Sequence, residues 1–129
     1  MSFEIDLRAR LANDPTVSGL VGTRIYWKIR PQGTDLPAII LSMVSGQRDQ
    51  VMSGPMGTQG NRVQFDCMTS SKSAAIALRN SVLALIEAKA SHGATTFQGG
   101  FVSLYRDTAE DTVDGVVHNE MIDATIWFN

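Results

Sequence analysis

A single cysteine, Cys67, occurs in the 129 residues, so neither an internal disulfide nor a multi-cysteine zinc site can form. Histidine is nearly as scarce. His92 and His118 stand alone, without an H-x-x-x-H spacing, and a triad or two-histidine metal site needs both together or one beside a placed nucleophile. Neither sign of charge dominates: eleven Lys and Arg against thirteen Asp and Glu leave a formal charge of −2. Tight binding to DNA by phosphate neutralisation needs a cationic excess that is missing here. No apolar run approaches the ~18 residues of a membrane-spanning helix. Met1–Asp6 lacks the basic region and apolar stretch of a signal peptide. The remainder is 43% hydrophobic and 19% charged, a balance that supports one core and argues against disorder. One soluble globular domain over residues 1–129 is the expectation.

Phe3, Leu7 and Leu11 recur every four residues and predict a helix over roughly Ser2 to Asn13, which Ser2 can cap and Pro15 stops. Arg8 and Arg10 fall off that stripe and are expected in solvent. Thr16 to Leu20 adds a turn of helix before Gly22. Arg24–Ile29 has the β-branched and aromatic content of a strand, and Pro31-Gln32-Gly33 reads as a turn. The nearly all-apolar Ala38–Val44 predicts a central strand covered on both faces. Arg62–Thr69 alternates, with Val63, Phe65 and Cys67 on one face and Arg62, Gln64 and Asp66 on the other. Ser70 or Ser71 caps a helix over about Lys72 to Ser91, whose Ala75, Leu78, Val82, Leu85 and Ile86 form an apolar arc while Ala74, Ala77, Ala84 and Ala88 gather elsewhere. Phe97 and Phe101–Arg106 form the next strand, Asp107–Thr112 an acidic turn, and Val113–Phe128 the last strand. The order α, β, β, β, α, β, β predicts an α+β domain: a mainly antiparallel sheet with helices packed on one face.

Ser45–Asn61 differs in kind, being dominated by Gly, Ser, Gln and charged residues with only Val51, Met52 and Met56 apolar. Structureless segments longer than about 12–15 residues are uncommon in compact domains and usually carry function. Flexible thioethers suit adaptable contacts, which makes Met52 and Met56, with their neighbours Arg48 and Val51, candidate interface residues. The small-residue flank of the long helix adds Ala77, Ala84 and Ala88.

Motifs for chemistry are absent or superficial. Gly54, Gly57 and Gly60 do not make a phosphate loop, because Asn61-Arg62 and a strand come next instead of Lys-Ser/Thr and a helix. Thr69-Ser70-Ser71-Lys72 has threonine where a serine-lysine dyad needs serine, so a helix cap is the better reading. Asp107, Glu110, Asp111 and Asp114 fit no calcium-loop spacing and read as an exposed charged turn. Cys67 reads as a small buried hydrophobe, and Arg79, at the border of the apolar arc, as a residue that snorkels to solvent rather than one pairing across a subunit contact. No catalytic, cofactor-binding or metal-binding set is expected, and hence no enzyme. A small dimeric ligand-binding domain, with the acidic turn and His118 near a pocket, is the alternative from another class.

Leu20-Val21-Gly22-Thr23-Arg24-Ile25-Tyr26, then Pro31-Gln32-Gly33, then Leu36-Pro37 before an apolar strand, resembles the tail-completion or tail-terminator proteins of long-tailed bacteriophages and their prophage or gene-transfer relatives. The resemblance continues through Val63-Gln64-Phe65-Asp66, the alanine-leucine helix and the final strand pair. Trp27 stands where the family often has proline, and Ala38 where it often has an aromatic. The resemblance implies a subunit that assembles into a homo-oligomeric ring, commonly of six, at the head-proximal end of a virion tail built in the host cytoplasm. Such a ring caps the tail-tube protein, ends tube polymerisation and offers a face to the head-connector protein, while DNA passes through its lumen without specific binding. A head-completion (neck) or tube-forming subunit is the alternative within the same virion.

Overall fold

The computed structural model describes residues 3–31, 35–46, 59–93, 95–112 and 115–129. Two helices come first, α1 (Phe3–Asn13) and α2 (Pro15–Val21). Phe3, Leu7 and Leu11 are the buried stripe of α1, as their spacing requires. Pro15 does not merely stop α1; it opens α2. It occupies the first helical turn, where a missing N–H costs little, and the Asp14 carboxylate accepts from the Thr16 and Val17 amides.

The strands are β1 (Ile25–Trp27), β2 (Ala38–Gly46) and β3 (Gln59–Thr69), followed by α3 (Lys72–Glu87) and then β4 (Ala90–His92), β5 (Thr95–Thr112) and β6 (Gly115–Phe128). They form one sheet in the order β1-β2-β3-β6-β5-β4. Of these pairings β1–β2 alone is parallel, so the sheet is mainly antiparallel and the fold is α+β, as expected. β6, the last strand in the chain, lies inside the sheet between β3 and β5.

The helices cover one face. There Ile39 and Leu41 of β2, Val63, Phe65 and Cys67 of β3, and Ile122, Ala124 and Ile126 of β6 meet Leu7, Leu11, Val17, Leu78, Val82 and Ile86. Period-two alternation on β3 and β6 and a helical stripe on α3 converge on this core. Gly100 lets α3 come close, because a Cβ there would collide with Ile86 Cγ2. Cys67 is fully buried, and burial pushes its thiol well above the ordinary value. The native protein should therefore leave Cys67 unmodified by a thiol reagent, with labelling following global unfolding; fast labelling of folded protein contradicts this packing.

Several elements depart from the sequence-based expectation. α3 ends at Glu87 rather than Ser91, because Ala88 turns extended and 90–92 pair with 95–97 as β4. The acidic stretch 107–112 is no turn; it continues β5, paired through Thr112↔Gly115. β2 is covered on both faces only at Ala38–Leu41, while Met43 and Val44 are exposed. Arg10 is not solvated. It is buried, and its Nη2 donates to the Leu85 and Ala88 carbonyls at 2.7 and 2.9 Å, closing the C-terminal end of α3. Its guanidinium also lies 4.9 Å from the Phe97 ring centroid. Burial lowers the Arg10 pKa from its usual value, with Asp14 pulling the other way. Arg8, half-buried, donates to the Ile25 and Thr23 carbonyls. Among the described residues, no helix is long and apolar enough to cross a membrane.

Candidate assembly surfaces

α3 is fastened at its N-terminus and along its length by different physics. The N-terminus is capped by Ser71, whose hydroxyl accepts from the Ala74 amide, so Thr69–Lys72 serves as a cap rather than a dyad. Lys72 forms a direct ion pair with Asp107 of β5 at the exposed surface; that contact raises the Lys72 pKa and lowers that of Asp107, chiefly through the shared hydrogen bond. Further along the helix, Arg79 does not snorkel to solvent but pairs within the chain. It donates to Glu120 Oε1 of β6 at 2.8 Å, and its guanidinium sits 5.0 Å from the Tyr105 ring centroid. Glu120 itself is 2% exposed, and its Oε2 has no hydrogen-bond partner among the described residues.

The flank expected to make contacts is thereby placed in space. Ala77 and Ala84 lie on α3 away from the buried arc, and Ala88 lies just past its end. Ala84 and Ala88 border a groove of about 450 Å³ between α3 and the α1–α2 corner, with Asn13, Thr16, Lys89 and His92 among the other walls. Arg48, Val51, Met52 and Met56 lie outside the described residues, as do the cap expected at Ser2 and the carboxylate of Asp114.

The sheet face away from the helices is only partly covered. It carries Arg62, Gln64 and Asp66 of β3 beside Met121, Asp123, Thr125 and Trp127 of β6, and Phe101 and Leu104 of β5 join them by register. Arg62 forms a two-pronged pair with Asp123 at 2.8 and 2.5 Å, and that hydrogen bond, then the charge itself, raises the Arg62 pKa. Asn119 and Gln64 both donate to Asp66. Beside this polar network stand three exposed hydrophobic groups: Phe101 at 66%, Leu104 at 50% and Trp127 at 42%. Trp127 lies across Gly60, where a Cβ would come within 2.7 Å of the indole, so glycine is what allows the ring to lie against β3. Large apolar groups gathered on one open face mark an interaction surface more often than a monomer's ordinary exterior.

β5 and β6 continue past the rest of the sheet. The last β3 pair is Thr69↔His118, while among the described residues Glu110↔Val117, Asp111↔Val116 and Thr112↔Gly115 pair only with one another. Three further residues at about 3.3 Å each make an arm projecting some 10 Å. Beyond the β4 pairing at 95–97, the outer edge of β5 has no neighbouring strand among the described residues. Such an edge is a template for association.

The two histidines stand apart. His92 lies on β4, its Nε2 3.3 Å from Asn13 Nδ2, and His118 on β6, with β5 between them. Among the described residues no group of three or more His, Cys, Asp or Glu side chains is placed to hold a metal ion. The Phe101–Leu104–Trp127 patch has no signature in the linear pattern, because an aromatic in a strand looks the same whether its face is covered or open.

Residues 5–125 match the model of the family described as tail completion protein gp17. The fold is similar to a chain of a solved structure titled "Virion of native gene transfer agent (GTA) particle", with a TM-score of 0.62 at 14% identity, covering 99% of this chain and 96% of that one. No curated protein matches the sequence.

Proposed function

The chain belongs to the tail completion protein gp17 family, and from that premise we propose that it is a non-enzymatic structural subunit of a virion tail, forming a ring that caps the tail tube. The family match over nearly the whole chain carries this reading, and the fold shared with a chain of a gene transfer agent virion supports it. In this role the subunit meets three protein partners: copies of itself in a closed ring, commonly of six; the tail-tube protein, whose addition it ends; and the head-connector protein on the opposite side. DNA moves through the ring without specific binding, for which a slightly acidic subunit suits better than a basic one.

A closed ring needs two different, complementary surfaces on each subunit. The uncovered sheet face with Phe101, Leu104 and Trp127, the projecting arm, and the groove beside Ala84 and Ala88 offer distinct surfaces of that kind. Ala77 on the outer flank of α3 belongs to the same proposed contacts.

Assembly of tube protein with and without this chain tests the role. Tubes formed in its presence should stop growing and carry a density at one end in negative-stain images. Longer tubes with the chain built into the wall would instead identify a tube subunit. Binding to the connector alone, with tube length unchanged, would identify a neck protein.

A further inference from the structure

Two segments on opposite sides of the sheet carry opposite charge. Arg24–Pro31, comprising β1 and the segment after it, holds Arg24, Lys28 and Arg30 and no carboxylate. Glu110–Thr112, the β5 half of the arm on the far side of the sheet, holds Glu110 and Asp111 and no cation. Each patch also presents apolar surface, Ile29 at 71% exposure on the first and Val116 at 44% beside the second. Resting on the ring reading above, we infer that the subunit–subunit contact seats the acidic arm of one copy on the basic β1 segment of the next, a second copy of this chain being the occupant.

The backbone at β1 decides the kind of contact. The Ile25 carbonyl and the preceding Thr23 carbonyl already accept from Arg8, and the Ile29 amide turns back to the Trp27 carbonyl. An incoming strand would find those groups taken, so the sheet does not extend through β1. Side chains must make the contact, with charge selecting the partner and fixing its direction. A head-to-tail arrangement results, because a basic edge repels another basic edge and an acidic arm another arm. That is the heterologous geometry which closes into a ring. Lys28 sits at φ 74, a backbone conformation uncommon outside glycine, held by its amide donating to the Leu41 carbonyl; this fixes where the basic segment leaves the sheet.

Charge reversal tests the contact, with particle mass followed by light scattering and native mass spectrometry across a concentration series. E110K/D111K should raise the concentration at which rings form by at least about tenfold, since like charges then face each other. K28E/R30E should do the same from the other side. Mixed in equal amounts, the two variants should assemble together, because each arm then finds a segment of opposite sign. Melting curves establish that each variant is folded, and if one is not, the other carries the test alone. Wild-type rings with unchanged assembly of the folded reversed variants would overturn the inference and leave the tail-capping role standing. A wild-type chain that neither forms rings nor binds tubes would overturn both.

Discussion

Replacing Arg79 with methionine should lower the unfolding free energy by about 3 kcal/mol, read from the denaturant midpoint at unchanged slope. Methionine keeps most of the stem but removes the cation that pairs with Glu120, a carboxylate 2% exposed beneath α3 whose other oxygen has no hydrogen bond among the described residues. An exposed pair would be worth a fraction of this. Burial makes the difference: the loss comes less from the attraction removed than from the charge left without compensation. The Tyr105 ring loses its cation as well. Replacing Glu120 with glutamine in the same chain should therefore recover part of the loss, since neither buried charge then remains. If R79M/E120Q is no more stable than R79M, the pair is not coupled in this way.

Arg10→Met should be the second large loss, about 2–3 kcal/mol, because two carbonyls at the end of α3 lose the donor that reaches them from α1. For a chain of this size a thermal scan should show a drop on the order of 4 °C per kcal/mol. Lysine at position 10 should fall between wild type and methionine, restoring a positive charge near the helix C-terminus without the flat group over Phe97. A neutral outcome for Arg10→Met would contradict the role of this side chain at the end of α3.

Both arginines show where a linear reading stops. Arg10 lies three residues after Leu7 and seven after Phe3, so its phase puts it on the buried side of α1, and Arg79 borders an apolar arc; it is their charge that assigns both to water. Their partners are 75 and 41 positions away in the chain, and nothing in the spacing announces them. Local pattern succeeds where the burial of one element decides its own period: the α1 stripe, the α3 arc, and the alternation of Val63, Phe65 and Cys67 all face the core. It fails where a boundary is set from outside. Ala88–Ser91 has helical composition, yet Arg10 closes α3 before it and β5 recruits 90–92 as a strand. Asp107–Thr112 has the composition of a turn, yet its pairing with β6 carries it on as strand. Pro15 does mark a boundary, but Asp14 caps the helix after it, so the proline opens an element instead of ending one. The proposed contact surfaces are legible only in outline: Ala77 and Ala84 sit off the buried arc as their helical phase implies, whereas the open sheet face emerges only once the strands are placed.

Last of the strands to be made, β6 nevertheless supplies an inner rail of the sheet, joined to β3 from Gln59↔Phe128 to Thr69↔His118. During synthesis β1, β2 and β3 emerge with β3 still lacking its neighbour, and Val63, Phe65 and Cys67 meet α3 over half a platform. The β5–β6 hairpin joins residues close in the chain and zips quickly, whereas docking it onto β3 must close a long loop first. A nascent polypeptide stalled before β6 therefore leaves the margin of β3 without its partner, the kind of edge that templates association.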